Sequence, residues 1–388
     1  MNLVRLAPTL VVKYLVIIIY KVICLFLKVK PNKITFASYR AEELSGNLYS
    51  VWNEINLNYP QYDCHFALKK FHSSFLGKFD YVVHMVKATY HLATSAYFII
   101  DDFYLPAYMI KVRKNTEIIQ LWHAAGALKK FGYSTVGKSF GPSIDYLKHV
   151  KIHSNYSSVF VSSSEVIPYY AEAFNIPSER IYPFGTPRTD TFFSASFKKI
   201  TESNFYKEYP ELRNKKIILY APTYRGKSHY QADYVSPIDF EKMEKELKDD
   251  GYALVVHLHP YMKPGTDLIG QSGDFLYHVR QNFHIQELLI MTDILITDYS
   301  TVFFDFSLLE RPIVFFADDI EDYVEQRDFY YDYQDLIPGP LFSKTNQLTE
   351  CIKSKRFDLG KVKTFKDRFF DYQDGKSTER IVQFILRK

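Results

Sequence analysis

The chain has 388 residues, long for one domain and comfortable for two at ~150 residues each. Hydrophobic content of 47% and charged content of 24% describe a globular protein with a core. A net charge of +4 without a dense basic repeat argues against nucleic acid and suits an anionic substrate or membrane surface, while three scattered cysteines, Cys24, Cys64 and Cys351, argue against a disulfide framework or zinc site and for a reducing compartment.

Residues 9–27 are the most apolar part of the chain. No small-residue cleavage site follows them, as a signal peptide requires, and Lys13 and Lys21 interrupt the run a transmembrane helix needs. At ~100° per residue, Arg5, Lys13, Lys21 and Lys28 fall on one half of a helical wheel. Val12, Leu15, Ile19, Val22 and Phe26 fall on the other, Leu10, Val16 and Ile23 are read with that apolar side, and Lys30 and Lys33 extend the basic edge. This pattern predicts an amphipathic helix over 1–30 lying in the membrane interface, against the alternative of a buried core helix with lysines at its rim. The 32 tyrosines, whose rings are apolar and whose tips are polar, suit such an interface or a wet cleft.

From Lys33 onward short β-rich runs alternate with helical patterns. Strands are predicted at 33–38, 62–68, 96–101, 117–123, 158–163, 180–185, 216–222, 252–260, 293–298 and 312–317. Helices are predicted at 42–57, 165–174, 238–250, 301–310 and 376–387. Several strands are continuous apolar runs, as in parallel sheets buried on both faces. The alternation implies an α/β protein with two Rossmann-like sheets. The polar, irregular stretch 187–214 marks the join, giving domains at 31–195 and 196–388.

In open α/β sheets ligands bind at the carboxyl ends of strands, so the polar residues there are the candidates. The first strand end with chemistry is Gln120-Leu121-Trp122-His123, followed by Ala124, Ala125, Gly126, Lys129 and Lys130. A histidine there can accept a proton from a hydroxyl, and small residues let a substrate approach the backbone. The second is Thr223-Tyr224-Arg225, whose guanidinium fork suits phosphate. The third is His257-Leu258-His259-Pro260, where strand alternation places both histidines on one side. The fourth is Asp298-Tyr299-Ser300-Thr301, leading into a helix that holds Asp305, with Ser300 as its N-cap. Each taken alone is as well explained by a capped turn or a satisfied side chain. Asp101-Asp102 reads as solvation of a loop, and the segment with Arg188 and Asp190 says little by itself. Together, these strand ends suit a transferase in which one domain holds an activated phosphate donor. The other presents the acceptor and a base, and chemistry takes place in a central cleft.

Residues 122–132, 221–225, 257–260 and 297–316 together resemble the CDP-glycerol glycerophosphotransferase family of teichoic acid primases and polymerases, with similar order and spacing from about residue 95 to 330. The resemblance implies a GT-B-like architecture with a monotopic N-terminus at the cytoplasmic face of the membrane. It implies transfer of glycerol phosphate or ribitol phosphate from a CDP-alditol (CDP-glycerol or CDP-ribitol) to an undecaprenyl-diphosphate-linked saccharide, releasing CMP. By resemblance His123 is the base, and His259 and Arg225 stabilise the pyrophosphate and the leaving CMP. Ser300 and Thr301 hold phosphate, with Thr223, Lys130 and Arg188 as further substrate contacts. Asp298 and Asp305 orient the donor. Members often read His-Gly-Thr-Pro after the tryptophan where this chain has His123-Ala124-Ala125-Gly126, which bears on acceptor identity rather than reaction type. No cofactor is required and no dedicated metal cluster is evident, though magnesium assistance is compatible, as is a homo-oligomer. A single catalytic unit favours a primase or short-chain extender. The rivals are a sugar-nucleotide glycosyltransferase of the same architecture and a catalytically silent membrane protein that binds anionic polymer.

Overall fold

The computed structural model describes residues 3–70, 74–224, 232–259, 262–264, 274–279 and 283–387. The chain divides into two compact units, residues 1–188 with 376–388 and residues 189–375.

The first unit is built on strands β1 (Lys30–Ser38), β2 (Asp63–Leu68), β3 (Ser95–Ile100), β4 (Glu117–Gln120), β5 (Tyr156–Phe160) and β6 (Ile181–Tyr182). They form one sheet in the order β2-β1-β3-β4-β5-β6, and every pair is parallel. Strand order reverses between β1 and β3, the point at which a doubly wound sheet opens a crevice at its carboxyl edge. Ile34, Phe36, Ile99, Ile119 and Phe160 cover one face together with Leu48, Val51 and Ile55 of the helix Gly46–Asn58. Ile381, Val382 and Ile385 join the same cluster, and Arg380 Nη1 donates to the Phe184 carbonyl at 2.9 Å. The last helix, Ser377–Leu386, thus closes the core of the first unit. This corrects the division expected at 195/196 with everything after it in the second domain: the apolar face of that helix finds its partners 190 residues or more upstream, which periodicity alone does not show.

The second unit carries β7 (Lys216–Ala221), β8 (Ala232–Tyr234), β9 (Tyr252–Val256), β10 (Met262–Pro264), β11 (Leu276–His278), β12 (Ile294–Thr297), β13 (Ile313–Phe316) and β14 (Leu341–Phe342). Its sheet runs β11-β9-β7-β12-β13-β14, again all parallel, and β8 pairs with β10 apart from it. Here the order reverses between β7 and β12. The stretch 187–214, expected to be irregular, contains a 3₁₀ segment Pro187–Phe193 and the helix Ala195–Glu208. Ser194 Oγ caps that helix by accepting from the Phe197 amide at 3.2 Å. Only Thr201 and Phe205 of the helix are buried, so it leaves almost no apolar periodicity to read.

The N-terminal helix spans Leu3–Phe26 with Pro8 inside it. Over Leu6–Phe26 it is long and apolar enough to cross a membrane, with a mean hydropathy of 2.2. It packs against the helices Phe75–Thr94 and Leu105–Met109 through buried Leu6, Val16 and Tyr20. Val11, Tyr14, Leu15, Ile18, Val22, Leu25 and Phe26 form an exposed apolar stripe on the opposite face. The docked side differs from the predicted wheel. Val16 faces protein, Lys13 Nζ donates to the His149 carbonyl at 2.6 Å, and Lys33 is buried in β1 with its Nζ donating to Thr94 Oγ1 at 2.7 Å.

Candidate active site

In the first unit the candidate residues gather at the β1/β3 reversal. β4 ends at Gln120, earlier than the predicted run to His123, because Trp122 adopts the left-handed region at φ 53°. A side chain other than glycine enters that region only when its surroundings hold it there. Gln120 Oε1 accepts from the Trp122 amide at 2.8 Å, and Asn47 Nδ2 donates to the Trp122 carbonyl at 2.8 Å. Asn47 Oδ1 also accepts from the Arg188 amide at 3.0 Å, bringing Arg188 to the same strand ends. Beyond the turn, Gly126 at φ 73° continues a path that an L side chain rarely follows, and its amide donates to Ser162 Oγ. The Phe131 ring stacks on Trp122 at 5.0 Å, placing half-buried Lys130 one residue before that contact.

His123 Nδ1 lies 3.2 Å from Asp102 Oδ2, an ion-pair distance without the alignment of a hydrogen bond. Asp102 is 4% exposed and is also paired with Arg40. Burial pushes the His123 ring down to about 4; the Asp102 charge opposes this, while Arg40 and Arg188 add to it. The ring is therefore neutral at physiological pH and free to accept a proton. Burial, and then Asp102, push the Asp101 carboxyl up to about 7. The aspartate pair expected as loop solvation is thus corrected: both acids are held against the protein, and Asp102 faces the candidate base.

In the second unit the strand ends flanking the reversal are tied together. The Thr223 amide donates to Asp298 Oδ1 at 2.7 Å, and Thr297 Oγ1 donates to the Ala221 carbonyl at 2.7 Å. Tyr333 Oη donates to the Asp298 carbonyl at 3.0 Å. Asp298 is buried, so its carboxylate holds the loop after β7 in place. The helix that follows is short, Val302–Ser307, and its N-cap is Thr301 rather than Ser300. Thr301 makes no side-chain cap bond, whereas Ser300 Oγ accepts from the Val302 amide at 3.4 Å. Asp305 is buried within this helix, with Gln286 Nε2 3.5 Å from its Oδ2. β9 stops at Val256, so strand alternation does not govern the two histidines that follow. His257 continues the ladder through its amide to the Tyr220 carbonyl, and burial pushes its ring down to about 4. The His259 ring packs 5.3 Å from Tyr224. Arg225 and Pro260 lie outside the described residues. Among the described residues, no group of three or more His, Cys, Asp or Glu side chains is placed to hold a metal ion.

Residues 19–387 match the family model described as CDP-Glycerol:Poly(glycerophosphate) glycerophosphotransferase. The chain belongs to this family. It is 40% identical over 367 residues to the teichoic acid ribitol-phosphate primase of Bacillus spizizenii, covering 94% of each chain. The teichoic acid glycerol-phosphate primase of Bacillus subtilis is 34% identical over 78% of this chain and 76% of its own. A solved structure of the wall teichoic acid polymerase TagF superposes with a TM-score of 0.78 at 22% identity, covering 99% of this chain and 95% of that one, so the GT-B-like fold is shared. The reaction class of this glycerophosphotransferase family member is alditol-phosphate transfer in teichoic acid synthesis.

Two residues of the family member's first-unit site, Arg40 and Asn47, were not singled out in the sequence, while Asp102 read as loop solvation and Gln120 only as the start of the strand end before His123. Arg40 and Asn47 sit in and after the β1 loop, far in sequence from His123, and only the parallel sheet order brings them together.

Proposed function

We propose that the chain transfers ribitol phosphate from CDP-ribitol to a lipid-linked teichoic acid precursor at the cytoplasmic face of the membrane, releasing CMP. The observation that carries the reaction is His123, a half-buried imidazole held neutral beside the Asp102 carboxylate at a strand-order reversal. The acceptor hydroxyl attacks the phosphorus that bears the alditol while His123 removes its proton. The phosphorus–oxygen bond to CMP breaks, and Asp102 stabilises the imidazolium that forms. Binding of the donor phosphates is assigned to Thr223, Arg225, His259, Ser300 and Thr301, as the resemblance implies, and within that unit Asp298 holds the Thr223 loop while Asp305 is buried in the following helix. Such transfer depends mainly on positioning and electrostatic stabilisation.

Ribitol is preferred to glycerol because identity and coverage are both higher for the ribitol-phosphate primase than for the glycerol-phosphate primase. The exposed apolar stripe on the N-terminal helix supports membrane docking, and Phe75, Leu76 and Phe79 of the neighbouring helix are also exposed. A lipid-borne acceptor reacts near such a surface.

The test incubates detergent-solubilised protein with CDP-ribitol, CDP-glycerol or UDP-glucose and a lipid-linked disaccharide bearing one glycerol phosphate, with and without magnesium. CMP release with a mass gain of one or more ribitol phosphates is expected. A preference for CDP-glycerol overturns the polyol assignment, and UDP release with a hexose gain overturns the reaction.

A further inference from the structure

His123 and Asp102 sit at ion-pair distance without an aligned hydrogen bond, so their own interaction does not fix their separation. Something else must hold the two loops in register. Gln120 is fully buried at the end of β4, and each end of its amide is engaged. Oε1 accepts from the Trp122 amide at 2.8 Å, next to His123. Nε2 donates to the Asp102 carbonyl at 3.0 Å and to Tyr156 Oη at 3.0 Å. Tyr156 Oη is itself anchored by Tyr108 Oη at 2.5 Å and His153 Nδ1 at 3.0 Å. A planar amide bonded on both sides is a rigid spacer.

We infer that Gln120 is a positioning residue for this reaction, its amide clamping the loop after β3, which carries Asp102, to the left-handed turn after β4, which presents His123. The inference rests on reading His123 as the base. Gln120 touches no substrate and acts through the geometry of that pair. Replacing it frees the two loops to drift, and a misplacement of about 1 Å in such a pair costs roughly 100-fold in rate.

The experiment uses the full chain carrying Gln120→Ala, Gln120→Glu or His123→Ala, with rates taken per folded molecule. Gln120→Ala is expected to lower kcat roughly 100-fold with KM for the CDP-alditol unchanged. In 15N-histidine spectra its His123 ring changes from one tautomer to a mixture, a signature that loss of stability alone does not produce. Gln120→Glu keeps a donor to the Asp102 carbonyl while its carboxyl is protonated. Its kcat therefore approaches the parent value at the acid end of the folded range and falls as pH rises. Parent kcat and a single tautomer in folded Gln120→Ala overturn the clamp. Full turnover in His123→Ala refutes the base instead, and the tautomer readout still judges Gln120.

Discussion

At the scale of single residues, the environment of His123 sets a pH dependence displaced to lower pH than an ordinary histidine gives. A base with an unperturbed ring loses activity as pH falls through about 6.5. Here burial holds the folded ring at about 4, so it stays unprotonated throughout the range between those values. The acid limb of kcat/KM assigned to His123 is therefore expected below pH 5, and a limb centred near 6.5 would show that the ring is solvated. Asp102→Asn removes the charge that raises the ring's affinity for protons and leaves Arg40 without its partner, so kcat falls while binding of the CDP-alditol is retained. His123→Ala should cost about 100- to 10,000-fold in kcat, the usual range for a general base. His123 was legible because a histidine closing an apolar run before small residues is an unusual strand end. Asp102 was not, because adjacent acids after a strand ordinarily meet water, and the arginine that makes burial tolerable lies 62 positions upstream.

At the scale of elements, every predicted strand run overlaps an observed strand, because continuous Val, Ile, Leu and Phe runs suit strands buried on both faces of a parallel sheet. The runs were read too long at β4 and β9, where the chain leaves the ladder to present its polar residues. The helix Phe75–Thr94 went unread for a physical reason. It buries polar His84, Thr89 and Thr94 together with Met85, Ala88, Leu92 and Ala93, while Phe75, Leu76 and Phe79 of its first turns are exposed, which blurs the apolar stripe that marks a soluble helix. The exposed Phe75, Leu76 and Phe79 make it, with the N-terminal helix, the surface on which membrane binding should depend. Ile18→Asp with Leu25→Asp, or Phe75→Asp with Phe79→Asp, should each weaken sedimentation with phosphatidylglycerol vesicles while leaving the melting temperature unchanged. Each side chain forfeits about 1.5–3 kcal/mol of apolar burial in the bilayer. Lys13→Glu should behave differently, lowering the melting temperature as well, because its ammonium holds the His149 carbonyl. Vesicle binding equal to the parent in both aspartate pairs would remove these helices from the membrane contact.

At the scale of the molecule, buried and half-buried histidines make the first unit sensitive to acid. His84, His91 and His123 are held at about 4 and His153 at about 3, with burial the largest cause in each. In the unfolded chain each titrates near 6.5, so between that value and 4 the unfolded state carries the extra protons. Stability then falls as pH falls, by about 1.4 kcal/mol per pH unit for each net proton taken up on unfolding. Asp101 acts with the opposite sign: its folded carboxyl, pushed up to about 7, keeps a proton that the unfolded chain releases above about 4, so its contribution is lost as pH rises. Four histidines outweigh one aspartate, and the net dependence favours neutral pH. In the second unit His257 is shifted in the same way. Both tryptophans, Trp52 and Trp122, belong to the first unit, so their fluorescence reports its unfolding alone. Urea midpoints followed by tryptophan emission should drop steeply from pH 7 to pH 5, and more steeply than the circular-dichroism signal averaged over both units. Midpoints that stay constant over that range would mean these imidazoles are hydrated and charged in the folded chain, and the neutral base assigned to His123 would fall with them.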